Sequence, residues 1–158
     1  MQHTVHQRLL VLKWSALGAT LLAFSYAAVS AYWALGGMAG LRSVGAVSVR
    51  LADTHSIMAK AIIWSVVLMK FGCGIASFML IKKRWPKVIK VFNGIVGTIL
   101  SLYGGVLVLV EALVETGILH THGAVDWYAL KWHLVVWDMW FLAWGALLLL
   151  AVREFDSV

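Results

Sequence analysis

Residues 134–152 read LVVWDMWFLAWGALLLLAV, an apolar run in which Asp138 is the only charged residue. About 20 apolar residues in a helix cross the ~30 Å hydrocarbon core of a bilayer, so this run predicts a membrane span. A charged side chain inside a membrane is costly and usually has a partner or a function. The run therefore indicates the class of fold and also makes Asp138 a candidate functional residue.

The composition of the whole chain agrees with a membrane protein. Of its 158 residues, 62% are hydrophobic and 13% are charged, whereas a soluble domain is about half apolar and about 25% charged. The net charge of +6 does not indicate a nucleic-acid partner, because the basic residues cluster between two apolar runs, as in a loop at a membrane surface. This cluster consists of Lys82, Lys83, Arg84, Lys87 and Lys90. The predicted partner is the lipid bilayer.

Four segments are each long and apolar enough to span a membrane. They are predicted at residues 13–35, 57–81, 91–115 and 128–152, with a basic loop at 82–90. The segments are too long and too continuously apolar for barrel strands, and only helices or closed barrels satisfy the backbone inside lipid. The sequence therefore predicts an all-α, polytopic four-helix bundle that forms one membrane domain over residues 1–158.

Lysine and arginine are unevenly distributed over the ends and loops. The N-terminal segment, the basic loop and the C-terminal tail hold most of them, and such residues favour the cytoplasmic side. Both termini are therefore predicted to be cytoplasmic, with residues 36–56 and 117–127 outside. The uncharged stretch from Trp14 to Leu41 is longer than the apolar part of a cleaved signal, which predicts that the first helix is retained.

Two charged side chains lie near the middle of predicted helices. Asp138 follows Tyr128, a predicted interface anchor, by ten residues and so lies ~15 Å deep. Lys70 precedes Lys82 by twelve residues, which places it ~18 Å from the opposite face. Because intramembrane charges usually pair inside the bundle, these depths predict an ion pair between Lys70 and Asp138. The alternative is that Asp138 acts as a protonatable relay or as a counter-ion for a substrate.

A stripe of small residues on the third helix predicts a close helix contact. Gly97, Ser101 and Gly104 fall on one face, and such stripes let membrane helices approach closely. The same face continues to Glu111 and Glu115 by helical spacing. These carboxylates are therefore predicted to point into the bundle, near the outer boundary of the membrane core.

The fourth helix resolves into two stripes at 100° per residue. The first contains His133, Trp137, Trp140 and Trp144, and the second contains Lys131, Asp138 and Gly145. The three tryptophans lie too deep for an interfacial belt. They either fill the core of the bundle or line an aromatic pocket for a lipid or a cation.

The predicted outer loops carry imidazole and carboxylate groups, which are ligands in many transition-metal sites. The candidate ligands are His55, His120 and His122 in or near these loops, His133 about one and a half turns below Trp127, and the nearby carboxylates Glu115 and Asp126. Two histidines one residue apart are weak evidence for a metal, and only His133 lies well inside a span, so the paired axial ligands of a membrane haem are missing. Cys73 is the single cysteine, which excludes an intramolecular disulfide and a Cys-x-x-Cys dithiol. The sequence predicts no metal and no cofactor.

Two stretches of the chain resemble the sequence boxes of a known family. Residues 32–44 read YWALGGMAGLRSV and residues 125–145 read VDWYALKWHLVVWDMWFLAWG. They resemble the YWALGG box and the WH-x-x-x-WD-x-WF box of a family of small four-helix bacterial membrane proteins, a domain of unknown function. The resemblance implies a multi-pass protein of the bacterial plasma membrane and implies no activity. Relatives carry a histidine two residues before the box tyrosine, where this chain has Ser30.

The two glycines of the first box have a structural interpretation and a functional one. A Gly-Gly pair after the last aromatic residue of a helix predicts a left-handed helix end at Gly36 and Gly37. The alternative is a pocket in the outer leaflet where Trp33 meets His133 and the region of Glu111.

Three classes of function remain for the chain. The first is a non-catalytic bundle that binds a lipid or a small apolar molecule, or that assembles into a homo-oligomer or a larger membrane complex. The second is a proton- or ion-coupled transporter with Asp138 as its switch, and the third is a membrane-integral enzyme acting on a lipid. The sequence lacks a P-loop, a His-Glu-x-x-His motif and a Gly-x-Ser-x-Gly elbow, which favours the first class.

The candidate site residues follow from these patterns. An enzyme would use Glu111, His133 or Asp138 as its catalytic groups. The predicted ligand-binding residues are Trp33, Lys70, Glu111, His133, Trp137, Asp138 and Trp140.

Overall fold

The computed structural model describes residues 2–53, 56–82, 85–121 and 123–156, with side chains from residue 5 onward. Within these ranges all regular structure is helical, and four helices are long and apolar enough to cross a membrane. The prediction of an all-α bundle with four membrane spans is therefore confirmed.

The helices are numbered along the chain, and the long ones form the spans. The helices are α1 (Gln2–Ala34), α2 (Ala46–Asp53), α3 (Ile57–Lys82), α4 (Pro86–Glu115), α5 (Trp127–Trp132) and α6 (Asp138–Phe155). Spans one, two and three are formed by α1, α3 and α4. Span four runs over Trp127–Phe155 and consists of α5, a π-helical turn at His133–Trp137, and α6. A short 3₁₀ turn at Leu41–Val44 precedes α2.

The third span begins earlier than the apolar pattern predicted. Helix α4 starts at Pro86 rather than at residue 91, because proline is favoured at the first position of a helix, where its missing N–H would be unpaired anyway. Lys87 and Lys90 therefore lie on the first turns of α4 and not in a loop, and Lys90 pairs with Asp156. Lys83 and Arg84 lie outside the described residues.

One end of the bundle gathers both chain ends and the α3–α4 connection, and we call it the terminal end. A buried apolar cluster here includes Leu12, Leu80, Ile89 and Phe155, one residue from each span. The opposite end, which carries the described residues 35–53, 56, 116–121 and 123–126, is called the loop end. The spans thus run antiparallel in chain order.

A buried asparagine joins spans two and three at the terminal end. The Asn93 side chain is 1% exposed and donates from Nδ2 to the carbonyl oxygen of Ala76 at 3.1 Å and to that of Ile89 at 2.8 Å. Polar groups inside a bundle stabilise helix contacts by such hydrogen bonds. This contact is one that the apolar pattern of the sequence did not identify.

Spans three and four make the closest contact in the bundle, through the predicted stripe of small residues. A Cβ atom added to Gly104 would lie 2.6 Å from the backbone nitrogen of Leu142 and 2.7 Å from the carbonyl oxygen of Asp138. On the facing helix, a Cβ atom at Gly145 would lie 2.5 Å from the backbone nitrogen of Ser101. Small residues permit such an approach of two backbones, so the predicted contact face is confirmed.

We predict that Gly104→Ala lowers the free energy of unfolding by about 1–3 kcal/mol, because the added methyl group meets backbone atoms that cannot move alone. Gly105→Ala is the matched control, since its Cβ would lie 3.7 Å from Leu142 Cδ1, an ordinary contact. Reversible unfolding in detergent micelles measures both variants. Equal stability of the two variants would contradict the close contact.

Candidate functional site

The YWALGG box forms the end of α1 at the loop end of the bundle. Gly36 has a φ of 97°, and its N–H donates to the Trp33 carbonyl oxygen at 3.0 Å, while the Gly37 N–H donates to the Tyr32 carbonyl oxygen at 2.9 Å. These two bonds and the left-handed glycine form a Schellman motif. The predicted left-handed helix end is confirmed.

The two aromatic residues of the box also hold the chain that follows. Trp33 donates from Nε1 to the carbonyl oxygen of Ala39 at 2.9 Å, and the Ala39 N–H donates to the Tyr32 hydroxyl at 3.3 Å. The chain is thereby turned back over the bundle, and the 3₁₀ turn Leu41–Val44 is directed towards span four.

This 3₁₀ turn contacts the second sequence box. Trp137 donates from Nε1 to the Ser43 hydroxyl at 3.0 Å, and Nε2 of His133 lies 3.3 Å from the carbonyl oxygen of Val44. The ring of Trp33 meets that of Trp137 edge-on at 5.5 Å between centroids. The two boxes, which are far apart in sequence, therefore form one structural unit.

The π-helical turn changes which residues of span four share a face. Five residues at 100° each would place His133 and Asp138 about 140° apart. In the π-helical turn the Asp138 N–H donates instead to the carbonyl oxygen of His133, and this i→i+5 bond stacks the two residues above one another. The imidazole Nδ1 consequently lies 2.9 Å from Asp138 Oδ2. The assignment of these two residues to separate stripes was wrong.

A third side chain reaches the same place from span three. Glu111 Oε1 lies 3.9 Å from His133 Nδ1, and one ligand atom from each of Glu111, His133 and Asp138 lies within 4.8 Å of the other two. Asp138 is 1% exposed. Glu111 Oε2 is buried and accepts no hydrogen bond. We call these three residues the carboxylate–histidine cluster.

Lys70 does not join this cluster. Its ammonium nitrogen donates to the Ser30 hydroxyl at 2.8 Å and lies 3.3 Å from the centroid of the Tyr26 ring. In the described part of the chain no carboxylate lies within 4.0 Å of it. The predicted Lys70–Asp138 ion pair is therefore wrong, because Tyr26, stacked on Trp137 at 5.8 Å, takes the position between spans two and four.

Lys70 lines a cavity of about 240 Å³, which we call the Lys70 cavity. Its walls come from α1, the 3₁₀ turn, α2 and span two. The lining residues are Tyr26, Ser30, Trp33, Leu41, Val44, Ser48, Leu51, Ala52, Ile62, Ile63, Val66 and Lys70. Apart from Lys70 and the hydroxyl groups of Tyr26, Ser30 and Ser48, these side chains are apolar or aromatic.

The predicted ligand-binding residues thus divide into two groups. Lys70 and Trp33 line the Lys70 cavity, while Glu111, His133 and Asp138 form the carboxylate–histidine cluster. The Tyr26–Trp137 ring stack connects the two groups, since Lys70 lies on Tyr26 and Trp137 directly precedes Asp138.

The remaining deep tryptophans have structural partners. Trp140 donates from Nε1 to the carbonyl oxygen of Leu22 at 3.1 Å, which ties span four to span one. Trp144 is 2% exposed and packs in a core cluster with Ala19, Ala23 and Leu148. These contacts agree with the core-filling interpretation of the two residues.

The other residues weighed as metal ligands lie outside the carboxylate–histidine cluster. Glu115 is exposed, not directed into the bundle as predicted, and pairs with Lys131 at 3.5 Å. Asp126 caps α5 by accepting a hydrogen bond from the Ala129 N–H at 3.2 Å. His120 is exposed. His55 and His122 lie outside the described residues.

Sequence reasoning missed four groups that build the two sites. Tyr26 was not singled out, although it lies four residues before Ser30 and so shares its helix face. Ser30 was noted only as a departure from the family pattern. The hydroxyl of Ser43 and the carbonyl oxygen of Val44 carry no sequence signal, because only the path of the loop brings them to span four.

Comparison with known families identifies the class of protein. The family model described as Protein of unknown function (DUF3995) matches residues 9–148. The chain belongs to this family, and the resemblance found in its two boxes is confirmed. No curated protein and no solved structure matches the chain.

We predict that His133→Gln and Asp138→Asn are coupled by about 1 kcal/mol or more in a double-mutant cycle, because the two side chains are in direct contact. Lys70→Met and Asp138→Asn should be additive within about 0.5 kcal/mol, since no ion pair joins them. Free energies of unfolding in detergent micelles provide both cycles. A larger coupling energy between Lys70 and Asp138 than between His133 and Asp138 would show that Lys70 and Asp138 form an ion pair after all.

Proposed function

We propose that this membrane protein binds an amphiphile with a single anionic headgroup, such as a lipid carboxylate, in the Lys70 cavity. The observation that carries the proposal is a buried lysine that lines an apolar cavity and has no carboxylate within 4.0 Å of its ammonium group among the described residues. Lys70 is 7% exposed, and its described partners are a neutral hydroxyl and an aromatic ring.

The headgroup is inferred from what the Lys70 ammonium lacks. An ammonium group has three donors, and Ser30 accepts one of them. Charged groups inside membranes usually pair with an opposite charge. A carboxylate oxygen would supply that charge and accept a second hydrogen bond, while the Ser30 hydroxyl hydrogen offers the headgroup another donor.

The tail is inferred from the walls of the cavity. Leu41, Ile62 and Val66 present aliphatic surface, and burial of apolar area is worth about 25 cal/mol per Å². The Lys70 cavity shares Trp33, Leu51, Ala52 and Ile63 with a second cavity of about 450 Å³, whose lining also includes the charged residues Asp53 and Lys60.

The proposed role belongs to the non-catalytic class favoured by the sequence. Asp138 and Trp137 do not line the Lys70 cavity, so binding of this ligand needs neither of them. The family resemblance and the positive charge of the basic loop support a bacterial plasma membrane as the setting, with the loop end outside.

We predict that purified protein in lipid nanodiscs binds oleate more tightly than oleyl alcohol by tenfold or more, because only oleate carries the charge that Lys70 lacks. Lys70→Met should abolish this preference and leave binding of oleyl alcohol unchanged. Native mass spectrometry with each probe titrated separately measures both affinities.

The matched control is Lys82→Met, which removes an exposed ammonium group on the same helix, 5.7 Å from the centroid of the Phe78 ring and outside the Lys70 cavity. This variant should keep the preference for oleate. An equal loss in both variants would mean that surface charge attracts oleate. Equal affinity of the wild-type protein for the two probes would refute the proposal.

The same substitution has a predicted effect on stability. Lys70→Met should leave the free energy of unfolding unchanged or raise it, because an uncompensated buried charge is replaced by an apolar side chain of similar length. Thermal unfolding in detergent without added lipid provides the measurement. A loss above about 2 kcal/mol would show that the ammonium group is paired inside the protein.

A further inference from the structure

The carboxylate–histidine cluster brings three groups with acceptor atoms to one point. His133 Nδ1 lies 2.9 Å from Asp138 Oδ2 and 3.9 Å from Glu111 Oε1. Two carboxylates in this position repel one another unless a positive charge lies between them. A proton or a metal ion bound between the two carboxylates would remove this repulsion.

The environment of the other imidazole nitrogen, Nε2, indicates which nitrogen of the neutral His133 ring carries the hydrogen. Nε2 of His133 faces the carbonyl oxygen of Val44 at 3.3 Å. A carbonyl oxygen only accepts hydrogen bonds, so Nε2 carries a hydrogen and donates it. In the neutral ring the lone pair is then on Nδ1 and points at the two carboxylates.

We propose that Glu111, His133 and Asp138 bind a divalent transition-metal ion of the zinc class. Imidazole nitrogen and carboxylate oxygen are normal Zn²⁺ ligands, and two carboxylates with a neutral imidazole balance the charge of the ion. The hydrogen bond from Nε2 to Val44 is the type of outer contact that fixes the tautomer of a metal-ligating histidine.

One carboxylate oxygen of the cluster has no hydrogen-bond donor among the described residues. Glu111 Oε2 is buried and has no hydrogen-bond partner, which is costly for a carboxylate oxygen inside a protein. Coordination of an ion by this carboxylate removes that cost. The side chains of His133 and Glu111 are 28% and 16% exposed, so the cluster is not sealed inside the bundle.

The proposal departs from the sequence prediction of no metal. That prediction grouped His133 with the loop histidines, Glu115 and Asp126, and regular helical spacing separated His133 from Asp138. Three protein ligands leave a fourth position of a tetrahedral ion open, which is the arrangement of zinc sites that bind water or a substrate group.

The test is equilibrium dialysis of detergent-purified protein against buffered Zn²⁺, followed by elemental analysis. The wild-type protein should bind one Zn²⁺ per chain. Asp138→Asn and Glu111→Gln should each weaken binding at least tenfold, because each replaces a charged ligand by a neutral amide.

Two controls separate this site from other sources of binding. His120→Ala removes an exposed loop histidine and should leave the affinity unchanged. Lys70→Met should also leave it unchanged, so failure of the anion-binding proposal and failure of the metal proposal are distinguishable.

A second readout does not depend on counting ions. Zn²⁺ should raise the unfolding temperature of the wild-type protein and of His120→Ala, because a ligand that binds only the folded state stabilises it. Glu111→Gln should show no such shift. If Asp138→Asn does not fold, the Zn²⁺ affinity and the unfolding temperature of Glu111→Gln alone test the proposal. Absence of stoichiometric Zn²⁺ in the wild-type protein, or equal loss of binding in His120→Ala, would overturn the proposal.

Discussion

The backbone contact between spans three and four at Gly104 determines where the polar groups of the loop end lie. Gly104 faces the carbonyl oxygen of Asp138 so closely that a Cβ atom would lie 2.7 Å from it. Glu111 lies two helical turns further along the same span and so reaches the imidazole of His133. Without this close approach the two carboxylates would be too far apart to share a positive charge.

The loop that follows α1 completes the arrangement from the other side. The Schellman end at Gly36 and the Trp33–Ala39 hydrogen bond turn the chain back, and Ser43 then accepts a hydrogen bond from Trp137. The aromatic stack of Tyr26 and Trp137 consequently has the Lys70 ammonium group, which lacks a carboxylate partner among the described residues, on one side and the carboxylate–histidine cluster on the other. The two proposed sites take ligands of opposite charge and share the same wall.

Length and periodicity were sufficient to predict the parts of the fold that depend on burial. The four spans, the glycine face of α4 and the left-handed end at Gly36 were predicted, since each follows from local chemistry. Spacing gives the depth of Lys70 and Asp138 but not the rotation of their helices, which is why the predicted ion pair was wrong. The π-helical turn breaks the 100° rule at His133, and a loop contact such as that of Val44 depends on tertiary structure alone.

The exposed side of span three has a consequence for experimental work on this protein. In the most apolar window of Pro86–Glu115 only 11% of the residues are buried, and Leu102, Val106 and Leu109 are 64%, 57% and 60% exposed. These side chains face away from the glycine contact and from both proposed sites. A cysteine introduced there can carry a spin label or a fluorophore into the lipid without altering the helix packing on which the sites depend.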